Sequence, residues 1–396
     1  MNKILIINAG SSSIKWTLFS NNLEQEAKGI AQRIKMKQGS LLLNFNGQKF
    51  EENLPLPSFL ETVKQLVKQW EENKVIEKYS DISNLAFRIV NGGPHLQETC
   101  LVTEQNINFL KEAIDLAPVH NPGAIEAILA FKQIFKNAKM SLHFDTSFYK
   151  TLDKVAYTYP IDINLCNKYN IRKYGFHGLN HHYITQKMQS ILNKKNVNII
   201  SLHIGNGASL CAIKNSKSID TSMGFTPLAG VMMGTRSGDI DPSIIPYIMK
   251  HENLAISEVM EILNEKSGLL GISDYSSDMR DIRERKRKDN DEKCQFAYDL
   301  YISKIVDYLV KYINKIGNNI DAIVFTAGVA ENNYDVRESI ISGINIVNLK
   351  LDQKLNTDDY YQDFKLISSS DSDMPIYVVK ANEEIYIANE VKELFK

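Results

Sequence analysis

The stretch from Asp220 to Pro242 holds the densest set of residues that could do chemistry. It reads DTSMGFTPLAGVMMGTRSGDIDP, in which two glycines bracket a single arginine, Arg236. The glycines leave the backbone free for a tight excursion that presents the guanidinium. A guanidinium suits bidentate contact with an oxyanion and can neutralise a transferring phosphoryl group. The spacing equally allows a structural loop arginine that pairs with Asp239 or Asp241.

Two glycine-containing turns have the composition of phosphate-binding loops. The segment Asn8–Lys15 reads NAGSSSIK and offers small residues, hydroxyls, backbone N–H groups and one cation, Lys15. It is not a Walker A loop, because the second glycine of that motif is missing. The segment Gly205–Gly207 starts like a dinucleotide-binding fingerprint, but Leu210 occupies the third glycine position.

The two turns lie in matching strand–turn–strand contexts half a chain apart. Gly10 and Gly205 align at an offset of 195 residues. One repeat at half the chain length indicates two related lobes rather than a solenoid, whose periods are about 20–50 residues. Either turn alone is typical of an ordinary hairpin. The pair predicts a nucleotide held between two lobes.

Three other polar residues stand at strand ends or between glycines. Arg88 precedes Gly92-Gly93, and His177 is flanked by a glycine on each side at a distance of one or two residues. Asp145 follows a strand-like run, at the kind of strand end where α/β folds place ligands. Each residue alone is more often structural, as a solvated arginine, a turn histidine or a helix-capping aspartate.

Two other kinds of catalytic site are disfavoured by the spacing. His177 and His181 are four residues apart, but Gly178 stands where the zinc motif H-E-x-x-H has its glutamate. A Ser/His/Asp hydrolase also lacks support, because the chain contains no G-x-S-x-G motif.

The elements that must position these residues alternate between strand and helix patterns. The β-branched run Lys3–Ile7 predicts a strand buried on both faces. Further strands are predicted at Leu85–Val90, Met140–Phe144, Ala322–Phe325 and Ile376–Val379, and helices at Phe59–Trp70, Asn106–Leu116 and Ala124–Phe135. The alternation predicts an α/β fold. The mixed-charge run Arg280–Lys293 is interpreted as a solvated helix face or loop.

Composition narrows the class of protein. The chain has 396 residues, which suggests two to three domains of about 150 residues each. Lys+Arg 46 against Asp+Glu 47 argues against a nucleic-acid binder held by bulk charge. The four cysteines are too sparse for a disulfide framework and are expected to be free thiols. No apolar run is long enough for a signal peptide or a membrane span, so we expect a soluble, cytoplasmic protein.

Taken together, eight collinear segments of the chain resemble the acetate kinase family, which belongs to the acetate and sugar kinase, heat-shock ATPase and actin superfamily. They occur in family order across essentially the whole chain: Asn8–Lys15, Leu116–Pro122, Phe144–Phe148, Arg172–Gly178, His203–Ser209, Asp220–Pro242, Phe325–Asn332 and Ala381–Glu384.

The resemblance implies a fold and an activity. The fold would be α/β, a duplicated ribonuclease-H-like or actin-like ATPase fold with a nucleotide cleft between two lobes. The first lobe would comprise residues 1–145 and 371–396, and the second residues 146–370. The activity would be reversible phosphoryl transfer from ATP to acetate, giving ADP and acetyl phosphate, with Mg²⁺ or in its place Mn²⁺. A homodimer with a role in acetyl-CoA biosynthesis, and with no nucleic-acid or membrane partner, is expected.

The resemblance also assigns positions to the nucleotide and its metal. Asn8 and Glu383 match metal-associated positions, and Lys15 matches a position at the nucleotide phosphates. The positions that match ATP-binding loops are His203, Ile204, Gly205, Asn206, Gly207, Asp278, Met279, Arg280, Gly328, Val329, Ala330, Glu331 and Asn332.

Four positions match residues that act on the acyl substrate and the transferring group. Arg88 matches the acetate-contacting arginine and Asp145 the catalytic carboxylate. His177 and Arg236 match the stabilisers of the transition state. Acetate is already ionised at neutral pH, so Asp145 is expected to orient the metal, water or arginine rather than to abstract a proton.

The chain departs from the family pattern at several positions, none of which carries a charged catalytic role. These are Phe87, Asn91, Asn180, Ala229, Met279 and Ala330. They affect expectations of substrate affinity and nucleotide preference rather than of reaction class. Two alternatives stay open: a kinase of propionate or another short-chain acid, and a non-catalytic nucleotide-dependent switch on the same fold.

Overall fold

Each of two units of the chain is organised around a β-sheet. A computed structural model describes residues 3–358 and 360–396. The first unit comprises residues 3–150 and 382–396, and the second comprises residues 151–381. All four cysteines are unpaired, as the sequence predicts.

The sheet of the first unit grows outward from the N-terminal strand. Its strands are β1 Lys3–Ala9, β2 Ser13–Phe19, β3 Gln25–Gln32, β4 Gly39–Phe45, β5 Gln48–Leu54, β6 Ile82–Ile89, β7 Cys100–Leu101 and β8 Lys139–Phe144. They lie in the order β5-β4-β3-β2-β1-β6-β8-β7. β6 runs parallel to both β1 and β8, and the other neighbours are antiparallel.

The helices of this unit cover the two faces of the sheet. They are α1 Phe59–Glu72, α2 Glu104–Glu112, α3 Asn121–Ile134 and α15 Glu383–Leu394, with short 3₁₀ turns at Tyr79–Asp81 and Ile114–Leu116. The Ser58 side chain caps α1 by accepting from the Glu61 N–H, and the buried stripe of α1 includes Val63, Leu66 and Trp70.

Strand alternation sends the apolar and the functional side chains of the first sheet to opposite faces. Leu85, Phe87 and Leu142 belong to the hydrophobic core that α1 and α3 complete. Arg88 stands in register with Asn8 on β1 and with His143 on β8, on the other face. α15 covers that face, and its Glu390 Oε2 lies 2.9 Å from the His143 ring nitrogen Nδ1.

The sheet of the second unit has the order β11-β10-β9-β12-β14-β13. Its strands are β9 Ile199–Ile204, β10 Ala208–Lys214, β11 Lys217–Thr221, β12 Ala322–Thr326, β13 Phe364–Leu366 and β14 Ile376–Val379. Its helices are α4 Lys154–Tyr157, α5 Ile163–Tyr169, α6 Gly178–Ile191, α7 Ile244–Glu252, α8 Ile256–Glu265, α9 Gly268–Ser273, α10 Met279–Asp289, α11 Glu292–Ile316, α12 Gly328–Asn332, α13 Tyr334–Ser342 and α14 Gln353–Thr357. A 3₁₀ turn, Ser147–Thr151, joins the two units in sequence.

The two sheets share one topology. In the first, β2-β1-β6-β8 combines an antiparallel hairpin with two parallel neighbours. In the second, β10-β9-β12-β14 has the same pattern. The turn at Gly10 and the turn at Gly205 each connect the first two strands of their own sheet. The repeat in the sequence is therefore a repeat of structure.

The division of the chain differs from the expectation at its C-terminal end. The resemblance places residues 371–381 in the first lobe, but Ile376–Val379 pairs in parallel register with β12 of the second sheet. All four residues of this strand, IYVV, are buried. A continuous apolar run of this kind is typical of an interior strand of a sheet. The segment that returns to the first unit is thus residues 382–396, and the other break falls after residue 150 rather than after residue 145.

Candidate active site

A cluster of one half-buried arginine, one buried carboxylate and one half-buried carboxylate lies at the strand ends of the first unit. Arg88 lies near the end of β6, Asp145 directly follows β8, and Glu383 is the first residue of α15. Arg88 Nε and Nη2 donate to the two Asp145 carboxylate oxygens, each at 2.9 Å. Arg88 Nη1 donates to Glu383 Oε1 at 2.7 Å. The Asp145 N–H donates to the Ile89 carbonyl at 2.9 Å, which fixes the carboxylate beside the arginine.

Burial sets the electrostatics of this cluster. Burial opposes the charge on Arg88, but Asp145 and Glu383 hold the pKa of its guanidinium above the usual value. Burial also raises the pKa of Glu383 to about 7, against the attraction of Arg88. The second Glu383 oxygen, Oε2, is buried and has no hydrogen-bond partner in the part of the chain that the structure describes. A buried, unsatisfied carboxylate oxygen is a place where a cation is expected.

The turn between β1 and β2 brings two more predicted residues to the same face. Asn8 is in register with Arg88 on one side and with Lys15 on the other. The start of α3 packs directly on this turn, because a Cβ atom at Gly123 would lie 2.2 Å from the Gly10 carbonyl oxygen. Five predicted positions of the first unit therefore share one region: Asn8, Lys15, Arg88, Asp145 and Glu383.

In the second unit, His177 and Arg236 converge on the glycine turn after β9. A Cβ atom built on Gly207 would lie 3.5 Å from Arg236 Nη1 and 3.5 Å from both Cε1 and Nε2 of His177. Arg236 Nη1 is held by the Pro227 carbonyl at 3.3 Å. Burial lowers the pKa of the Arg236 guanidinium.

The pairing of Arg236 with Asp239 or Asp241, which the spacing allowed, is absent from the described residues. Asp239 Oδ1 accepts from the Gly230 N–H at 2.8 Å, and Asp241 caps the Ser243 N–H at 2.8 Å. No salt bridge of Arg236 is found among the described residues. Its guanidinium is presented beside Gly207 instead.

Histidine and serine side chains form a buried network behind this site. His177 occupies the N-cap of α6 with φ 58, and its ring stacks on that of His203 with centroids 4.1 Å apart. His177 Nδ1 lies 2.9 Å from Ser209 Oγ, which lies 2.8 Å from His181 Nε2. Burial, and secondarily His203, hold the pKa of His181 well below the usual value. Sequence reasoning missed Ser209 and treated His181 only as a rejected zinc ligand.

A cavity of about 560 Å³ in the second unit collects three of the predicted ATP-binding loops. It is lined by Gly205, Asn206, Gly234, Leu269, Ser277, Asp278, Met279, Arg280, Tyr301, Gly328, Val329, Asn332 and Asn333. A Cβ atom at Gly234 would lie 2.0 Å from Asn206 Oδ1, so a side chain at this position would displace the Asn206 amide where these two loops meet. Sequence reasoning missed Leu269 and Tyr301, whose apolar helical positions look like ordinary core.

The other predicted loop residues support the cavity rather than line it. Ala330 is fully buried. Glu331 accepts from the Ala327 and Ala381 N–H groups at 2.7 and 2.8 Å, and burial raises the pKa of its carboxyl. His203 and Ile204 lie on β9, and Gly207 faces His177 and Arg236.

The comparisons with known proteins agree with this geometry. A sequence profile of the acetokinase family matches residues 3–389. The chain belongs to the acetokinase family. Family membership makes it a kinase, that is, a phosphotransferase. An acetate kinase of Mycoplasmopsis pulmonis is 49% identical over 393 residues, which cover 99% of each chain.

Two crystal structures, one of an acetate kinase and one of a propionate kinase, match almost the whole chain. The acetate kinase of Porphyromonas gingivalis superposes with a TM-score of 0.94 at 34% identity and covers 100% of each chain. A propionate kinase from Francisella tularensis gives 0.93 at 35% identity, over 99% of this chain and 100% of that one. The α/β prediction of a duplicated actin-like ATPase fold is confirmed.

The departures from the acetokinase pattern lie in identifiable surroundings. Phe87 points into the first core, where it packs edge-on against Phe131 with centroids 5.8 Å apart. Asn91 Oδ1 accepts from the Gly93 N–H at 2.9 Å. Asn180 Nδ2 lies 2.9 Å from His203 Nδ1.

In the described residues, no helix has the length and apolarity needed to cross a bilayer.

Proposed function

We propose that this acetokinase transfers a phosphoryl group reversibly between ATP and acetate, giving ADP and acetyl phosphate. The observation that carries the proposal is the convergence of His177 and Arg236 beside Gly207. Phosphoryl transfer places most of its demand on charge neutralisation and positioning rather than on covalent chemistry. The Arg236 guanidinium and the His177 imidazole both face Gly207, which has no side chain, and there they can neutralise and position a phosphoryl group.

ATP binds in the cavity of the second unit under this proposal. Glycines at three loop positions, Gly205, Gly234 and Gly328, let the backbone approach the nucleotide closely. Val329 offers apolar surface for the base, and Asn206 and Asn332 offer polar groups, whereas Met279 and Tyr301 are almost fully buried. Lys15, an exposed residue of β2 in the first unit, is proposed to supply a cation for the phosphates.

Arg88 binds the acetate carboxylate. It is already fixed by Asp145 and Glu383, so little side-chain entropy is lost when the substrate binds. Asp145 acts on this arginine as a positioning residue, and it has no proton to abstract because acetate is ionised at neutral pH. The charge-assisted contact between a guanidinium and a carboxylate is of the strong kind.

Asn8 and Glu383 fit a magnesium site. Both offer oxygen atoms, which Mg²⁺ prefers, and Glu383 Oε2 is a buried oxygen in want of a partner. In the described residues no group of three or more His, Cys, Asp or Glu could hold a metal by itself. This suits Mg²⁺, which commonly keeps waters and phosphate oxygens and takes one or two protein ligands. When bound, it would neutralise phosphate charge.

The choice of acetate as substrate has one specific alternative, which is propionate. A propionate kinase superposes as well as an acetate kinase does, so the fold admits both substrates. One methylene changes binding by only about 1–3 kcal/mol. We propose acetate as the preferred acid, in a cytoplasmic homodimer.

Trapping of acyl phosphate with hydroxylamine tests this function. Purified protein receives Mg·ATP with acetate, propionate or butyrate, and the hydroxamate is measured. We expect the highest kcat/KM with acetate. A higher value with propionate would transfer the proposal to a propionate kinase, and no hydroxamate from any of the acids would refute it.

A further inference from the structure

The network behind His177 is built from one face of the second sheet and the first turn of α6. Ser201 and His203 are two residues apart on β9 and so share a face, and Ser209 on β10 stands opposite His203. His177 and His181 are one helical turn apart at the start of α6. The two histidines of α6 therefore contact the two serines on β9 and β10.

Three hydrogen bonds connect these four side chains into a single series. His177 Nδ1 and Ser209 Oγ are 2.9 Å apart. Ser209 Oγ and His181 Nε2 are 2.8 Å apart. His181 Nδ1 and Ser201 Oγ are 2.9 Å apart. Ser201, Ser209 and His181 are fully buried.

If the Ser209 proton is used, counting protons leaves two directions for this series of hydrogen bonds. A third arrangement, in which Ser209 accepts from both histidines, would leave its buried proton without an acceptor among the described residues. A hydroxyl carries one proton and a neutral imidazole carries one N–H. In the first direction Ser201 donates to His181, His181 donates to Ser209, and Ser209 donates to His177 Nδ1. The proton of a neutral His177 is then on Nε2. In the second direction every donor is reversed, and Nε2 of a neutral His177 is a bare acceptor.

The Ser201 end of this series of hydrogen bonds selects the first direction. In the second direction Ser201 would accept from His181, and its own hydroxyl proton would need another acceptor. Among the residues that the structure describes, His181 is the one hydrogen-bond partner found for the Ser201 hydroxyl. A fully buried donor left without an acceptor is costly. In the first direction every hydroxyl proton is used.

We propose that Ser201, His181 and Ser209 are positioning residues that keep neutral His177 protonated at Nε2. The Nε2–H group then points to the same spot beside Gly207 as Arg236 Nη1. A bare nitrogen there would repel phosphoryl oxygens, whereas an N–H donates to them. Burial keeps the pKa of His181 well below the usual value, so His181 stays neutral and its single N–H serves Ser209. The catalytic meaning of the tautomer rests on the proposed function, but the tautomer itself does not.

Nitrogen NMR of the histidine rings measures the tautomer directly. Protein labelled with ¹⁵N-histidine is examined at neutral pH, and the His177 signals are assigned by their loss in His177→Gln. We expect the Nε2–H tautomer in the wild-type protein. We expect Ser209→Ala to lose it in favour of a mixture, while Ser209→Thr, which keeps the hydroxyl, retains it.

Kinetics add a second readout that a merely structural role would not give. Loss of one aimed donor costs about 10²–10³-fold in kcat, and a partial loss of tautomer correspondingly less. For Ser209→Ala we expect kcat to fall roughly 10- to 100-fold, with both KM values nearly unchanged and kcat restored in Ser209→Thr. Ser218→Ala is the matched control, because Ser218 is equally buried in the same sheet but its hydroxyl contacts Cys211.

Two results would overturn the inference. One is an Nδ1–H tautomer in the wild-type protein, a reading that needs only the His177→Gln variant for assignment. The other is a folded Ser209→Ala protein whose His177 tautomer is unchanged. A wild-type Nε2–H signal in a protein that makes no acyl phosphate would refute the proposed function alone, so the two failures are distinguishable.

Discussion

At the scale of single residues, Arg88 is the clearest example of a side chain held ready by its neighbours. Two carboxylates, the buried Asp145 and the half-buried Glu383, fix its guanidinium from two sides. Sequence alone pointed to Arg88 and Asp145 because each stands at a strand end. It did not reveal the direct pairing of Arg88 with Glu383, because a contact across 295 positions of sequence leaves no local pattern.

Replacing Arg88 is expected to weaken acetate binding selectively. Loss of a charge-assisted contact costs about 1.5–3 kcal/mol, so Arg88→Ala should raise the KM for acetate roughly 10- to 150-fold and the KM for ATP far less. Steady-state kinetics with each substrate varied gives both values. Arg88→Lys, which keeps a charge between Asp145 and Glu383, controls for misfolding. Equal changes in the two KM values would indicate a general structural role.

Replacing Arg236 is expected to reduce turnover. A planar guanidinium can contact two phosphoryl oxygens, and a compact ammonium cannot reproduce that fork. Complete loss of an arginine that stabilises phosphoryl transfer costs about 10³–10⁵-fold, so we expect a fall in kcat of roughly 10²-fold or more for Arg236→Lys. Circular dichroism and melting would check the fold. A kcat within about threefold of wild type would return Arg236 to a loop-structuring role.

At the scale of elements, the turn between β9 and β10 is the surface on which the phosphoryl group is proposed to lie. A Cβ atom at Gly207 would meet His177 and Arg236 at 3.5 Å, which is ordinary van der Waals contact. Gly207→Ala should therefore fold with an unchanged melting temperature while its methyl group fills the reaction site. We expect kcat/KM to fall at least about 10²-fold, since a misplacement of about 1 Å costs that much. Near-normal activity would show that the phosphoryl group lies elsewhere.

Local patterns predicted the elements better than their partners. The strand at Ile376–Val379 was predicted at its observed bounds because a buried apolar run between turns is a local signal. Its membership of the second sheet was not, since the choice of neighbouring strand depends on contacts distant in sequence. The Ser201–His181–Ser209 network was missed for the same reason: it requires the register of β9 with β10 and the rotation of α6.

At the scale of the whole molecule, one buried aspartate at the edge of the second sheet, Asp220, forms ion pairs with three lysines. Asp220 accepts from Lys173 and Lys315, each at 2.8 Å, and pairs with Lys311 at 3.2 Å. Burial opposes its charge, but the lysines prevail and lower the pKa of Asp220 from 3.8 to about 2. Asp220 is therefore expected to support folding mainly in its ionised form.

The pH dependence of this contribution has a definite sign. Folding lowers the Asp220 pKa, so the stabilisation is fully present above the unfolded value and is lost as the pH falls from about 4 towards 2. A shift of this size corresponds to about 2 kcal/mol. Asp220→Asn should cost about 2 kcal/mol or more near neutral pH, because it leaves the half-buried Lys173 without its counter-charge.

Urea unfolding at near-neutral and acidic pH measures this effect. The difference in unfolding free energy between wild type and Asp220→Asn should narrow as the pH falls through the acidic range. Asp363→Asn is the matched control, because Asp363 pairs with Lys187 at an exposed site, where an ion pair contributes little. A wild-type advantage that stays constant down to the lowest pH would contradict the assignment.

The claim that this acetokinase moves a phosphoryl group from ATP to acetate is tested most directly by ³¹P NMR of the reaction mixture. Wild-type protein, Mg·ATP and acetate are followed in one tube, with Arg236→Ala in a parallel tube. We predict an acetyl phosphate resonance that grows in step with ADP in the wild-type sample and is nearly absent with the folded variant. ADP that forms together with inorganic phosphate alone, or no change in ATP at all, would contradict the claim.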